Sequence, residues 1–309
     1  QEKILLNEQI ILEHYRSEGY PRVVVKSRVE PIVNASGNLT EKFRVVFTID
    51  EKPKVFLTDI YITGTKFYSE LEIKRLIMSS EIDCVAWANQ SGIFREEMIN
   101  QDLSIITQQY LKNGFIKVFI EKPKISLIHN NDYTRVEVRI KINEGEQYFT
   151  GKINFKGEVL GDKNKLIKDL LLKEGDIYNP FFQNRDRSEI TKIYHEQGYA
   201  FVNIVPETIV DEERKIVDIN FRIEKGEKAY IGRLEIAGNK ETKDHVIRRE
   251  FDLQEEELFN GRKLLMSQEN INRLGFFKSG VLLERSIRGD ENNVFDILAR
   301  LKESQTGTF

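Results

Sequence analysis

A glycine followed by an aromatic residue recurs four times, as Gly19-Tyr20, Gly114-Phe115, Gly198-Tyr199 and Gly275-Phe276, at intervals of 95, 84 and 77 residues. Two further marks travel with it. An apolar-alternating pentad ends in glycine at Ile60-Tyr-Ile-Thr-Gly64, Ile153-Asn-Phe-Lys-Gly157 and Leu234-Glu-Ile-Ala-Gly238, at intervals of 93 and 81. A closing mark, Ile49-Asp-Glu-Lys-Pro53, Ile142-Asn-Glu-Gly145 and Ile223-Glu-Lys-Gly226, repeats with the same two intervals. Self-similarity at this spacing makes the chain a string of related small units rather than one large globule. The marks divide it into units at 55–147, 148–228 and 229–309. Residues 1–54 match only the second half of a unit, which implies further chain on the N-terminal side.

Each mark has a local meaning. Four residues before each stop glycine stand Tyr15, Tyr110, Tyr194 and Ile271, and eight before stand Ile11, Ile106, Ile190 and Ser267. This spacing predicts a helix with one buried stripe, ended by a glycine suited to the left-handed position past a helix C-terminus. Extended segments follow at Arg22–Val29, Ile116–Leu127, Ala200–Ile209 and Ser279–Ile287. Turns are expected at Asn34–Asn38, His129–Asp132, Asp211–Arg214 and Gly289–Asn293. A second strand then alternates strictly: Val136, Val138, Ile140 and Ile142 against Glu137, Arg139 and Lys141, and likewise Val217–Ile223 and Phe295–Leu301. Period-two alternation means a sheet packed on one face and wet on the other.

The front half of a unit is the short strand ending in glycine, then a helix, expected at Lys163–Leu172 and Thr242–Phe251 with Ser69 and Thr242 as N-caps. The unit order is βααββ. The last two strands form an antiparallel hairpin, and the first reaches the third by a right-handed parallel crossover. The fold class is therefore α+β: tandem βααββ units, each a three-stranded mixed sheet of order 1-3-2 with both helices on one face. Strand two is left as a free edge.

Composition closes several alternatives. The chain carries 47 basic and 50 acidic residues, a net charge of −3, which argues against nucleic acid as a partner. No stretch approaches 18 uncharged apolar residues, so no helix is expected to span a bilayer. Gln1-Glu2-Lys3 does not read as a signal peptide. The single cysteine, Cys84, excludes an internal disulfide framework. His14, His129, His195 and His245 are scattered without metal spacing, and no nucleotide-binding or hydrolase motif is present. The run Glu255-Glu256-Glu257 reads as a solvated loop. A βααββ unit invites comparison with KH-type RNA modules, but the basic GxxG clamp these need is absent. No catalytic, cofactor or metal site is expected.

The units resemble POTRA (polypeptide-transport-associated) repeats, as arranged in the BamA family of outer-membrane β-barrel assembly proteins. The most specific piece is the last unit: Leu234-Glu-Ile-Ala-Gly-Asn239, Thr242-Lys-Asp-His-Val-Ile-Arg-Arg-Glu250, Asn272-Arg-Leu-Gly-Phe-Phe277 and the closing Leu301-Lys-Glu-Ser-Gln-Thr-Gly-Thr-Phe309. On this resemblance residues 1–54 are the C-terminal half of a second-type repeat. Residues 55–147 are the third type, with Trp87 and Ser91-Gly92 in its larger insertion. Residues 148–228, through Asn143-Glu-Gly-Glu-Gln-Tyr148 and Glu174-Gly-Asp-Ile-Tyr-Asn179, are the fourth type, and 229–309 the fifth, leading to a membrane β-barrel beyond. Glu256 and Glu257 depart from the family's glycine-containing turn.

The resemblance implies a non-enzymatic periplasmic arm of an outer-membrane protein. It would receive unfolded outer-membrane proteins, meet a periplasmic chaperone and dock BamD-type and other accessory lipoproteins. Alternatives are the arm of a TamA-like or two-partner secretion transporter, or a passive interaction scaffold. A free strand-two edge can accept an extended peptide through main-chain hydrogen bonds without demanding a sequence. The expected edge in the third-type unit is Ile116, Lys117, Val118, Phe119, Ile120 and Glu121, guarded against aggregation by Lys117, Glu121, Lys122, Pro123 and Lys124. For lipoprotein docking, the resemblance carries a functionally important acidic position onto Glu255 and a basic one onto Arg248, with Arg249 beside it.

Overall fold

The computed structural model describes residues 2–33, 39–82, 92–129, 134–278, 280–288 and 291–304. Cys84, Trp87, Ser91, the turns expected at Asn34–Asn38 and within His129–Asp132, Gly289, and the closing residues 305–309 lie outside them. The chain divides into two compact units, Gln1–Gln147 and Tyr148–Phe309.

In the first unit, helix α1 (Glu2–Ser17) precedes an antiparallel hairpin of β1 (Val24–Val33) and β2 (Leu39–Asp50). The alternating pentad forms β3 (Val55–Thr63), followed by α2 (Glu70–Leu76) and α3 (Glu96–Lys112). The return strands are β4 (Phe119–Ile120), β5 (Lys124–His129) and β6 (Thr134–Asn143). β3 runs parallel to β6, while β4 and β5 pair its other side antiparallel, giving the order 1-3-2.

The second unit repeats this plan twice. β7 (Phe149–Gly157), α4 (Lys163–Asp169), α5 (Pro180–Glu196), β8 (Asn203–Asp211) and β9 (Ile216–Glu224) form a sheet ordered β7-β9-β8. β10 (Tyr230–Ala237), α6 (Asp244–Arg248), α7 (Gly261–Arg273), β11 (Leu282–Arg288) and β12 (Glu291–Arg300) form one ordered β10-β12-β11.

The burial follows the two periodicities. Val136, Val138, Ile140 and Ile142 of β6 pack with Leu57, Ile60 and Ile62 of β3 against Ile73, Ile99, Ile106 and Tyr110 from the helices. Fully burying one such side chain is worth about 1.5–3 kcal/mol, so a core this size supports a small domain. The expected stripe is buried at Ile106, Tyr110, Ile190, Tyr194, Ser267 and Ile271, while Ile11 and Tyr15 of α1 are half-exposed. Ser267 is tolerated in the stripe because its hydroxyl accepts the Asp252 amide (2.8 Å) and donates to the Lys263 carbonyl (2.8 Å).

The pentad glycines have a steric cause. Gly64, Gly157 and Gly238 all have positive φ, and a Cβ there would lie 2.1–2.2 Å from the carbonyl oxygens of Ile142, Ile223 and Leu301. The end of strand one thus sits directly on the closing mark of strand three. Across each linker the closing isoleucine and the next pentad glycine (Ile49 to Gly64, Ile142 to Gly157, Ile223 to Gly238) are always 15 residues apart. The stop glycines also tie consecutive repeats: Val55 donates to the Gly19 carbonyl (3.0 Å) and Ala229 to that of Gly198 (2.9 Å).

Three expectations are corrected. The extended segment expected from Ile116 begins only at Phe119, because a tight turn follows the glycine stop and Val118 donates to the Phe115 carbonyl. Ile116, Lys117 and Val118 therefore lie in that turn, and the strand is interrupted again between Ile120 and Lys124, where Pro123 cannot donate. The first helices of the last two repeats are shorter than expected. α4 ends at Asp169 because the buried carboxylate of Asp186 takes the amides of Leu171 (2.7 Å) and Leu172 (3.0 Å). Thr242 is not an N-cap: Lys243 occupies that position, and the Thr242 amide is held by the Glu303 carboxylate (2.7 Å). Ser69 does cap α2, in a reciprocal capping box with Glu72.

Candidate strand-addition and docking surfaces

A 1-3-2 sheet has two edges, and the fold treats them differently. The front of strand one is covered by the segment that leads into the second helix. Leu57 donates to Gly92 (2.6 Å) and Phe94 to Val55 (3.2 Å); Thr150 donates to Asp176 (2.7 Å) and Tyr178 to Tyr148 (3.0 Å); Ile231 donates to Glu257 and Phe259 to Ala229 (2.9 Å each). In the three sheets that carry a strand one, strand two has no such cover among the described residues; in the N-terminal hairpin the Glu8 carboxylate of α1 accepts the Ser27 amide of β1 (2.7 Å).

The register locates the open amides. Thr134 donates to the Lys54 carbonyl on the β3 side, so residues of β6 with its parity face β3 and the intervening ones face β5. Lys124, Ser126 and Ile128 then make the ladder bonds with Arg139, Glu137 and Arg135, and the amides of Ile125 and Leu127 point off the open edge. The side chains of Phe119, Ile125, Leu127 and Ile128 are all exposed. Of the residues expected to form this edge, Phe119, Ile120 and Glu121 pair with β6, Glu121 donating to the Lys141 carbonyl (3.0 Å) and its carboxylate pairing with the Lys141 ammonium (2.6 Å). The longer exposed stretch is β5, one interruption further along the chain.

Arg248, Arg249 and Glu255 come together only in part. Arg249 is exposed and pairs with Glu250 (3.1 Å). Glu255 is not a free loop acid: its carboxylate accepts the Leu234 amide (3.0 Å) and pairs with Arg248 (3.5 Å), whose guanidinium donates to the Leu234 carbonyl (2.9 Å). The pair closes the second half of the strand-one edge in β10. Both side chains remain about half exposed, 49% for Arg248 and 48% for Glu255, so a charged surface survives.

The repeat that begins with β3 holds the same device, which the sequence alone does not announce. Glu81 accepts the Ile60 amide (2.8 Å) and the Lys74 ammonium (2.8 Å), with Glu70 also on Lys74 (3.1 Å). Lys74 and Glu81 stand 14 and 21 residues after Ile60, as Arg248 and Glu255 stand after Leu234. That shared spacing is the signal that would have revealed it. Burial pushes the Glu81 carboxyl up, but the bonds from Lys74 and Ile60 outweigh it and hold it below the usual carboxylate range. The repeat that begins with β7 has Ile167 in the cation's place.

Two further acids serve the fold, Glu144 buried and Glu303 partly exposed. Glu144 accepts the amides of Lys66 (2.9 Å) and Phe67 (3.0 Å) and the Tyr110 hydroxyl (2.7 Å); burial, then this bond, raises the tyrosine's pKa. Glu303, at the matching place, accepts the amides of Lys240, Glu241 and Thr242. Among the described residues no group of three or more His, Cys, Asp or Glu is placed to hold a metal ion, and no helix is long and apolar enough to cross a membrane.

Comparison with known proteins agrees with this architecture. The family model POTRA, "Surface antigen variable number repeat", matches residues 55–145, 148–226 and 229–304. The chain is 30% identical over 311 residues to the outer membrane protein assembly factor BamA of Nitratidesulfovibrio vulgaris, covering 99% of this chain and 38% of that protein. It is 28% identical over 306 residues to BamA of Neisseria meningitidis serogroup B, covering 98% of this chain and 37% of that protein. The chain thus spans well under half the length of these relatives. The crystal structure of the third to fifth POTRA repeats of Haemophilus influenzae BamA shares the fold, with a TM-score of 0.66 at 23% identity over 81% of this chain and 96% of that one.

Proposed function

The chain belongs to the POTRA family, the periplasmic repeats of outer-membrane proteins, and from that premise we propose that it is the receiving arm of an outer-membrane β-barrel assembly factor. In this reading residues 1–54 are the back half of one repeat, and 55–147, 148–228 and 229–309 are three whole repeats. The arm takes unfolded outer-membrane proteins, delivered by a periplasmic chaperone, and passes them toward a membrane β-barrel. Its role is non-catalytic.

The observation that carries the proposal is the asymmetry of the sheet edges. In the three whole repeats strand one is covered or bracketed, and strand two is open among the described residues. An open edge offers backbone groups at a fixed spacing, so affinity comes from main-chain bonds that any extended segment can make. The third-type edge combines that opening with exposed Ile125, Leu127 and Ile128, which suits segments of alternating apolar pattern.

Proline substitution tests it. Leu127→Pro removes an amide that points off the edge, so capture of an unfolded outer-membrane protein should weaken while the fold persists. Ser126→Pro removes a ladder bond and should destabilise the sheet itself. Unchanged capture by Leu127→Pro contradicts the proposal.

Lipoprotein docking is assigned to Arg248, Arg249 and Glu255. Their half-exposed mixed charge suits a charged partner, because complementary charges set register and encounter rate.

A further inference from the structure

Prolines interrupt the strand-two edges unevenly. Pro31 lies in β1, Pro123 between β4 and β5, and Pro206 in β8, whereas β11 contains none. Pro206 pairs with Phe221, two residues before the closing Ile223, and Leu283 pairs with Ala299, two before Leu301. The last repeat therefore carries a hydrogen-bonding residue where the fourth carries a proline. Leu301 donates to Ala237 of β10, so residues of β12 with its parity face β10 and the others face β11. The amides and carbonyls of Leu283 and Arg285 accordingly point off the open edge, and among the described residues they have no partner.

That edge borders a groove of about 360 Å³ lined by α5, α7 and β11. Phe259, Leu264, Leu265 and Leu283 supply its apolar surface, and Leu265 is 50% exposed. Lys192, Arg262 and Arg285 stand around it against Glu196, with Glu189 paired to Lys192. His195 adds no charge at neutral pH, since burial and the neighbouring Arg285 push its pKa down. The Gln268 side chain ties α7 to the root of the strand by donating to the Val281 carbonyl (2.7 Å).

We propose that β11 and this groove form a second strand-addition site, specific for an extended polypeptide segment with a large apolar residue flanked two positions away by a carboxylate. Residues opposite one another on neighbouring strands project from the same face. The guest residues facing Leu283 and Arg285 would thus both enter the groove, two positions apart. One meets the leucines. The other meets the Arg285 guanidinium, with Arg262 nearby, and a carboxylate there is favoured by charge complementarity. The site rests on the strand-addition reading above and adds a preference for charge to the apolar preference of the third-type edge.

The test is fluorescence anisotropy on the whole chain with a labelled heptapeptide, Thr-Asp-Thr-Leu-Thr-Asp-Thr, and its counterpart with Lys for both Asp. The acidic peptide should bind about tenfold tighter, and Arg285→Ala should remove most of that preference. Arg285→Pro, which also deletes the outward amide, should weaken both peptides a further fivefold or so. N-methylating peptide amides one at a time, with the protein untouched, should weaken binding at alternate positions only. Equal affinity for the two peptides, or indifference to both Arg285→Pro and N-methylation, overturns the site. If Leu127→Pro abolishes capture of unfolded protein while Arg285→Pro changes nothing, edge capture stands and this site falls. If neither matters, the strand-addition reading falls with it.

Discussion

Arg248 and Glu255 hold the two polar groups of a single backbone residue, the guanidinium on the Leu234 carbonyl at 2.9 Å and the carboxylate on its amide at 3.0 Å. Side chains here do what a neighbouring strand would do. A charge reversal at Glu255 therefore disturbs two things at once, a strand edge and a candidate docking surface. Glu255→Gln separates them, because an amide oxygen can still accept from Leu234. Glu255→Ala should cost about 1 kcal/mol in urea unfolding, the worth of one half-exposed hydrogen bond, and Glu255→Gln less. If lipoprotein binding depends on the charge, Gln and Lys at this position should both weaken it. Binding that follows the stability ranking instead would reduce Glu255 to an edge cap.

The pentad glycines offer a sharper stability contrast. Gly157 and Gly161 both have positive φ, but a Cβ on Gly157 would meet the Ile223 carbonyl oxygen at 2.2 Å, whereas nothing lies within 4 Å of Gly161. Gly161→Ala should cost only the left-handed backbone penalty, about 1–2 kcal/mol. Gly157→Ala must in addition push strand one off strand three, and should cost well above about 2 kcal/mol. Equal unfolding midpoints for the two variants would contradict the close approach described here.

Glu303 sets an acid limit on the last repeat. Hydrogen bonds from the Glu241 and Thr242 amides, with that of Lys240, hold its carboxyl at about 2 against an ordinary 4.5. A pKa depressed by folding contributes stability that is complete above the ordinary value and is lost as pH falls from about 4.5 toward 2. Comparing urea midpoints of the natural chain and Glu303→Gln across this interval checks the sign. The gap between them should be widest near neutrality and should close on acidification.

Much of this was legible in the residues. Strict alternation in Val136–Ile142 and Val217–Ile223 specified strands packed on one face, and the helix stripe ending at Tyr110 and Tyr194 specified what they pack against. The 1-3-2 order followed from the directions of five elements. What escaped was whatever depends on side chains reaching distant backbone. Thr242 resembles a cap until Glu303, 61 residues away, takes its amide. Glu255 resembles a solvated acid until the 14- and 21-residue offsets are matched to Lys74 and Glu81. Ile116–Val118 have strand-like composition, but the glycine stop just before them imposes a turn that periodicity alone does not register.

Reception of extended polypeptide at an open strand-two edge is read directly by amide hydrogen exchange at β5. On adding an unfolded outer-membrane protein, the outward amides of Ile125 and Leu127 should gain protection while that of Ser126, already bonded to β6, stays as it was. Binding that leaves Ile125 and Leu127 exchanging freely, or that protects only the helices, would rule out strand addition at this edge.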